Sequence, residues 1–129
     1  MSRDLPRPTD AELQILQVLW QLGPTTVRDV HETLSPTTGT GYTTILKMLQ
    51  IMLRKGLVTR TEDSRSHVYA AKESQEVAQR GLIKDMIHRA FEGSSSALVM
   101  RAMSAQPPTA EELVEIRRAL AEFDDPEGK

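Results

Sequence analysis

The 129-residue sequence predicts a mainly α-helical protein with a small β-hairpin. Three observations support this prediction. Apolar residues recur with a helical period along most of the chain, capping patterns precede two of the periodic segments, and one helix closed by glycine leads directly into two short β-prone runs. We therefore expect an N-terminal unit of helices with a hairpin, followed by a C-terminal region built from helices alone.

The first two helices are predicted from their start and stop signals. Thr9 and Glu12 fit a capping box before a helix from Asp10 to about Leu22, which a Gly-Pro pair ends. A shorter helix should run from about Val27 to Leu34, followed by a turn over residues 35–40, which are rich in Pro, Gly and Thr. The residues expected to face the core are Leu13, Leu16, Leu19 and Trp20 in the first helix, and Val27, Val30 and Leu34 in the second.

The third helix, between Gly41 and Gly56, is the most informative segment of the chain. Its apolar side chains fall on one arc of about 120°: Tyr42, Ile45, Leu46, Leu49, Met52 and Leu53. The opposite side, here called the outer face, consists of Thr43, Lys47, Gln50 and Arg54, with Thr44, Ile51 and Lys55 beside it. No acidic residue interrupts it, so this helix could be buried on one side while the other side meets a polyanion. Thr, Lys, Gln and Arg side chains hydrogen-bond base edges and phosphates.

A hairpin should follow this helix. Gly56 can adopt the left-handed conformation that ends a helix, and residues 57–61 and 67–71 are β-prone runs separated by a polar, turn-like segment, residues 62–66. Three helices and a hairpin predict a winged helix-turn-helix over residues 9–72, with the third helix as the recognition helix. An amphipathic helix followed by an unrelated hairpin is the alternative for this segment.

Charge is distributed unevenly along the chain. The whole sequence has 16 basic and 18 acidic residues, which argues weakly against nucleic-acid binding. However, residues 41–72 hold six basic and two acidic residues, a net charge of +4, whereas residues 73–129 hold seven basic and eleven acidic residues, a net charge of −4. The predicted recognition surface is therefore basic, as a contact with DNA phosphates requires.

The candidate DNA contacts divide by their place in the motif. The residues expected to contact base edges are Thr43, Thr44, Lys47, Gln50 and Ile51. Those expected to contact phosphates, from the helix ends and the wing, are Tyr42, Arg54, Lys55, Arg60, Arg65 and His67. Ile51 has two interpretations, an edge-of-core residue or an apolar contact with a thymine methyl group.

Residues 73–123 are expected to form a helical dimerisation domain. Ser74 is a plausible N-cap for a helix to about Phe91, residues 97–103 form a short apolar helix, and a Thr109/Glu112 capping box opens the last helix. Their apolar residues are Ile83, Met86, Ile87, Phe91, Leu98, Val99, Leu113, Ile116, Leu120 and Phe123. Three short helices have little chance of building their own core, so we expect a homodimer. Packing back onto the winged helix within one monomer is the alternative.

Other functional classes find no support in the sequence. The chain has no cysteine, and its histidines, His31, His67 and His88, lie in three different predicted elements without the i, i+4 spacing of a helical metal pair. We therefore expect no catalytic residue, no metal site and no cofactor. No apolar run approaches the roughly 20 residues that span a bilayer, and no signal peptide is evident. The prediction is a cytoplasmic protein without membrane insertion, with flexible tails at residues 1–8 and 124–129.

The sequence resembles the penicillinase-repressor (BlaI/MecI/CopY) family of winged-helix transcriptional repressors. The resemblance rests on TDAELQILQVLW, on YTTILKML and on LRKGLVTR, and it extends from about Thr9 to Leu120. It implies a homodimer that binds a palindromic operator in double-stranded DNA and represses β-lactam-resistance or related genes. It also implies a membrane sensor-transducer protease as a candidate partner. A winged-helix protein-interaction module without DNA binding is the alternative function.

Two positions depart from the family pattern. Gln50-Ile51-Met52 stands where members commonly have Thr-Arg-Leu, so the operator preference is expected to differ. Arg101-Ala102 stands where characterised members have the Asn-Phe bond at which proteolysis inactivates them. Arg101 and Ala102 are therefore either a proteolytic site of altered specificity or only part of the dimer core. The absence of cysteine also separates the chain from the copper-responsive branch of the family.

Overall fold

The computed structural model describes residues 7–63 and 66–124. Its elements in chain order are α1 (Asp10–Leu22), β1 (Thr25–Thr26), α2 (Val27–Thr38), α3 (Tyr42–Lys55), β2 (Val58–Asp63), β3 (Ser66–Ala71), α4 (Gln75–Ala90), α5 (Ser95–Ala105) and α6 (Ala110–Asp124). The chain forms two compact units, residues 1–84 and 85–129, with the boundary inside α4. The predicted fold class, mainly α with a small β-hairpin, is confirmed, and the hairpin belongs to a three-stranded antiparallel sheet. The predicted domain boundary after residue 72 stays a prediction.

The capping residues behave as predicted. At α1, Thr9 Oγ1 accepts a hydrogen bond from the Glu12 N–H (3.2 Å), and the Thr9 N–H donates to Glu12 Oε1 (2.9 Å). The same reciprocal pair forms between Thr109 and Glu112 at the start of α6 (2.9 and 3.1 Å). Ser74 Oγ accepts a backbone N–H at the start of α4 (3.1 Å). Each pair satisfies backbone donors that have no partner inside the helix.

The second helix is longer than predicted. The turn expected over residues 35–40 is wrong, because α2 continues to Thr38 with Pro36 inside it. Proline removes the backbone donor that would bond the Glu32 carbonyl. In the last turn the Thr37 and Thr38 hydroxyls donate to the Leu34 carbonyl (3.2 and 3.0 Å). Gly39 then ends the helix in the left-handed conformation, at φ 70°. Likewise α5 begins two residues earlier than predicted, where Ser94 caps it.

One hydrophobic core holds the first unit together. Its buried apolar residues are Ile15, Leu16, Val18, Leu19, Val27, Val30, Ile45, Leu49, Met52, Leu57, Val58 and Tyr69. The prediction for α1 was incomplete: Leu13 is only half-buried and Trp20 packs against the core while partly buried, whereas Ile15 and Val18, which were not predicted, are buried. Leu13 and Trp20 lie at the edges of the side of α1 that faces the core. The Trp20 indole N–H instead donates to the Glu73 carbonyl at 3.0 Å.

The sheet contains a strand that the sequence did not predict. Its order is β1-β3-β2 and all pairing is antiparallel. The two-residue β1 pairs Thr25 with Tyr69, and the β2–β3 hairpin runs in register from Val58 opposite Ala71 to Asp63 opposite Ser66. The hairpin strands therefore extend into the segment predicted as a turn. The hairpin is the wing, and β2 packs beside α3.

The C-terminal helices have a different character. Among the described residues of α4, α5 and α6, none is buried. Large apolar side chains are exposed on all three, up to 85% for Phe123. No helix in the described part of the chain is long and apolar enough to cross a bilayer.

Candidate nucleic-acid interface

The recognition helix α3 is buried on one side and exposed on the other. Ile45, Leu49 and Met52 are completely or almost completely buried in the core. The outer-face residues Thr43, Lys47, Gln50 and Arg54 are all exposed, and so are Thr44, Ile51 and Lys55 beside them. The exposed side predicted from the helical period is thus confirmed. Whether its residues contact DNA stays a prediction.

Tyr42 does not belong to the buried arc of α3, contrary to the prediction. It is 47% exposed, because it occupies the first helical position, beyond the edge of the core. Its ring packs edge-to-face against His31 of α2, with a centroid distance of 5.9 Å and an interplanar angle of 74°. Leu46 and Leu53 are half-buried at the margin of the core. The contact between His31 and Tyr42 was not predicted from the sequence.

The two ends of α3 are built differently. Its N-cap, Gly41, supplies no side-chain cap, and the first turn contains no acidic residue. The backbone N–H groups there give the helix start a partial positive charge that favours an anion. At the other end Gly56 is left-handed (φ 82°), and the Leu57 N–H donates to the Met52 carbonyl at 2.9 Å. This glycine turn leads the chain directly into the wing.

Lys55, predicted to contact phosphate, has a partner within the protein. Its ammonium lies 2.7 Å from Oε1 of Glu12, a side chain that is only 7% exposed. Burial raises the pKa of the Glu12 carboxyl, but the hydrogen bonds from Lys55 and Thr9 and the charge of Lys55 outweigh burial, so the pKa lies below its ordinary value. Glu12 is therefore ionised at neutral pH and holds the lysine. Sequence reasoning assigned Glu12 only to the helix cap.

The described part of the wing presents both cationic and acidic side chains. Register places Arg60, Glu62 and His67 on the same face of the hairpin. His67 Nε2 lies 3.3 Å from Glu62 Oε2, an ion pair when the imidazole is protonated. Arg60 is exposed. The predicted phosphate contact Arg65 lies outside the described residues.

The other cations that the structure describes on this surface differ from Lys55 in their pairing. Within the part of the chain that the structure describes, Lys47, Arg54 and Arg60 form no ion pair. A polyanion could therefore bind these side chains without first breaking an ion pair to another described residue. The described residues also contain no group of three or more His, Cys, Asp or Glu side chains placed to hold a metal ion.

The predicted dimerisation residues all lie on the three C-terminal helices or, for Phe91, just after α4. Ile83, Met86, Val99, Leu120 and Phe123 are exposed large apolar side chains. The others are half-buried: Ile87, Phe91, Leu98, Leu113 and Ile116. Two more exposed apolar residues, Met100 and Val114, were not predicted. Arg101 and Ala102 are exposed in the middle of α5.

Comparisons with known proteins point to one family. A family model described as penicillinase repressor matches residues 8–122. The transcriptional regulator BlaI of Mycobacterium tuberculosis is 36% identical over 121 residues, which are 93% of this chain and 87% of that protein. The penicillinase repressor of Bacillus licheniformis is 23% identical over 93% of this chain and 94% of its own length.

A solved structure matches more than half of the chain. The solution structure of the Bacillus licheniformis BlaI monomeric form, in complex with the blaP half-operator, aligns with a TM-score of 0.51 and 27% identity. The match covers 57% of this chain and 89% of that one.

Proposed function

This chain belongs to the penicillinase-repressor family, and from that membership we propose that it is a sequence-specific DNA-binding transcriptional repressor. The observation that carries the proposal is the outer face of α3, which is exposed and free of acidic residues. Its two cations, Lys47 and Arg54, form no ion pair with any residue that the structure describes. The relative solved on a half-operator supports the same use of the matching unit. As a regulator of bacterial DNA, the protein would act in the cytoplasm.

Recognition would divide between bases and phosphates. Thr43, Thr44, Lys47, Gln50 and Ile51 are proposed to reach base edges in the major groove, since they lie on the exposed side of one helix. Arg54 and Arg60 are proposed to contact phosphates from the end of α3 and from the wing, with Tyr42 at the start of the helix. Ile51 is 39% exposed, which favours the contact with a thymine methyl group over a place at the core edge.

The C-terminal helices are proposed to form a homodimer. None of their described residues is buried, although exposed apolar side chains recur along each helix. A two-fold contact with a second copy would remove this surface from water. Two recognition helices related by a two-fold axis would match a palindromic operator. By the names of its relatives, that operator would control penicillinase or related β-lactam-resistance genes.

Fluorescence anisotropy with a labelled random duplex tests the proposal. Binding should weaken steeply as salt rises, with a slope of about −0.9 per phosphate contacted. A duplex selected by the protein from a random library should then bind about 10³-fold or more tightly than random DNA. Binding that is absent at low salt would favour a protein-interaction module instead.

A further inference from the structure

An ion pair joins the first and third helices of the N-terminal unit. Lys55 Nζ and Glu12 Oε1 are 2.7 Å apart across 43 residues of sequence. The same Glu12 oxygen accepts the Thr9 backbone N–H at 2.9 Å. The hydrogen bond of the α1 capping box therefore fixes the position of the Glu12 carboxylate. Because Lys55 binds the same oxygen, its ammonium is held at a defined point on α1.

The two neighbouring cations at the end of α3 differ sharply. Arg54 is exposed and forms no ion pair with any residue the structure describes, whereas Lys55 is held by Glu12, whose side chain is only 7% exposed. Withdrawing Lys55 would leave that carboxylate buried without its counter-charge, which is costly. One helical position separates the two residues, or about 100° of rotation, so Lys55 lies on the flank of α3 and Arg54 on its outer face.

We propose that Glu12 and Lys55 are positioning residues, which fix the end of the recognition helix against α1, and that Lys55 does not contact the DNA backbone. The inference rests on the proposed DNA binding and refines its phosphate contacts. Lys55 is the last residue of α3 and is followed by Gly56 and the wing. Tying it to α1 therefore sets the rotation of α3 about its own axis and the point at which the wing begins. The rotation of α3 and the starting point of the wing together determine the direction in which the outer face points.

Salt dependence distinguishes a phosphate contact from a positioning contact. We would measure binding of a random duplex from about 50 to 200 mM salt for Lys55→Met, Glu12→Gln and the matched control Arg54→Met. Arg54→Met should lower the salt slope by about 0.9, the value for one lost phosphate contact. Lys55→Met and Glu12→Gln should leave the slope unchanged.

Discrimination provides the second measurement. Lys55→Met should reduce the affinity ratio between a selected duplex and random DNA by about fivefold or more, the lower end of the cost of one mismatched base pair. Lys55→Arg, which keeps the charge, should retain most of the ratio. A purely structural role would instead lower specific and random binding by one common factor.

The double variant Glu12→Gln/Lys55→Met is the control for a loss of stability, because it removes both charges and leaves no unpaired carboxylate. Its urea midpoint should lie at or above that of Lys55→Met. If the stability losses of the two single variants added up in the double variant, the pairing of Glu12 with Lys55 would be overturned. If Lys55→Met lowered the salt slope of DNA binding as much as Arg54→Met does, the positioning role would be overturned. If the DNA affinity of the wild type did not change with salt concentration, the proposed function would be overturned. The urea midpoints of the variants would still test whether Glu12 and Lys55 stabilise the fold as a pair.

Discussion

Lys47 lies in the middle of the outer face, one turn beyond Thr43, and it is exposed and unpaired among the described residues. A lysine there can donate to guanine O6 and N7. We expect Lys47→Ala to lower the affinity for a selected duplex by about 1–3 kcal/mol while random binding changes less. Lys84→Ala, an exposed lysine on α4, is the matched control. If Lys47→Ala weakened both duplexes by the same factor, Lys47 would be a phosphate contact.

Glu12 should make stability depend on pH. Because its pKa in the folded protein is lowered, it stabilises the fold fully above the unfolded pKa of about 4.3, and that contribution is lost as pH falls through the folded value. Urea unfolding of the wild type and Glu12→Gln from about pH 6 to about pH 3 measures this. The difference between their free energies of unfolding should shrink as pH falls. Parallel curves would contradict the assignment.

The hydroxyl of Tyr69 is a buried polar atom without a hydrogen-bond partner among the described residues. An unsatisfied buried hydroxyl costs free energy, so Tyr69→Phe should leave the free energy of unfolding unchanged or raise it by up to about 1 kcal/mol. Tyr42→Phe is the control, since Tyr42 is half exposed. A clear loss of stability in Tyr69→Phe would mean that this hydroxyl is hydrogen-bonded in solution.

At the scale of elements, the helices that could be predicted are those whose signals are local. The caps at Thr9, Ser74 and Thr109 lie within three residues of the groups they bond, and the period of α3 separates its buried and exposed sides. The sequence therefore predicted the wing, the recognition helix and most helix starts. It also predicted the exposed outer face of the candidate site.

Elements that depend on distant partners could not be predicted. The strand β1 has two residues, too few for any period, and it exists because it pairs with β3. Pro36 normally signals a helix end, yet α2 continues past it to Thr38 and ends only at the left-handed Gly39. In the candidate site, the Glu12–Lys55 and His31–Tyr42 contacts join different helices, and no local pattern reveals them.

The last helix allows a direct test of dimerisation. Leu113, Ile116, Leu120 and Phe123 form a narrow stripe on α6, and Leu120 and Phe123 are exposed in the single chain. We expect Leu113→Asp with Leu120→Asp to yield a monomer, because charges would enter an apolar seam. Ala121→Asp, in the same helix but off the stripe, should remain a dimer. Sedimentation equilibrium at micromolar concentration measures both, and a monomeric wild type would contradict the prediction.

At the scale of the whole molecule, dimerisation would determine operator affinity. Two winged helices joined through their C-terminal helices bind one palindrome as a single bivalent event. Separating the helices can cost a factor of about 10²–10⁴ in affinity without altering one DNA contact. The monomeric Leu113→Asp/Leu120→Asp variant should therefore lose operator binding by such a factor, while its salt slope on a half-site duplex stays that of the wild type. A loss of half-site binding as well would show damage to the winged helix.

Release from DNA would follow from any event that separates the dimer, because operator affinity would depend on dimerisation. Cleavage near Arg101-Ala102 would sever α6 from the DNA-binding unit, and the bond lies inside α5, so a protease would need local opening of that helix. We expect that co-expression with the native sensor protease under β-lactam challenge yields fragments ending at or near Arg101, as the promoter is derepressed. Mass spectrometry of the recovered protein maps the ends. Ala102→Asp, which alters the bond at an already exposed position, should slow both cleavage and derepression. An intact chain beside a derepressed promoter would show instead that another signal separates the dimer, and that this segment serves only as dimer core.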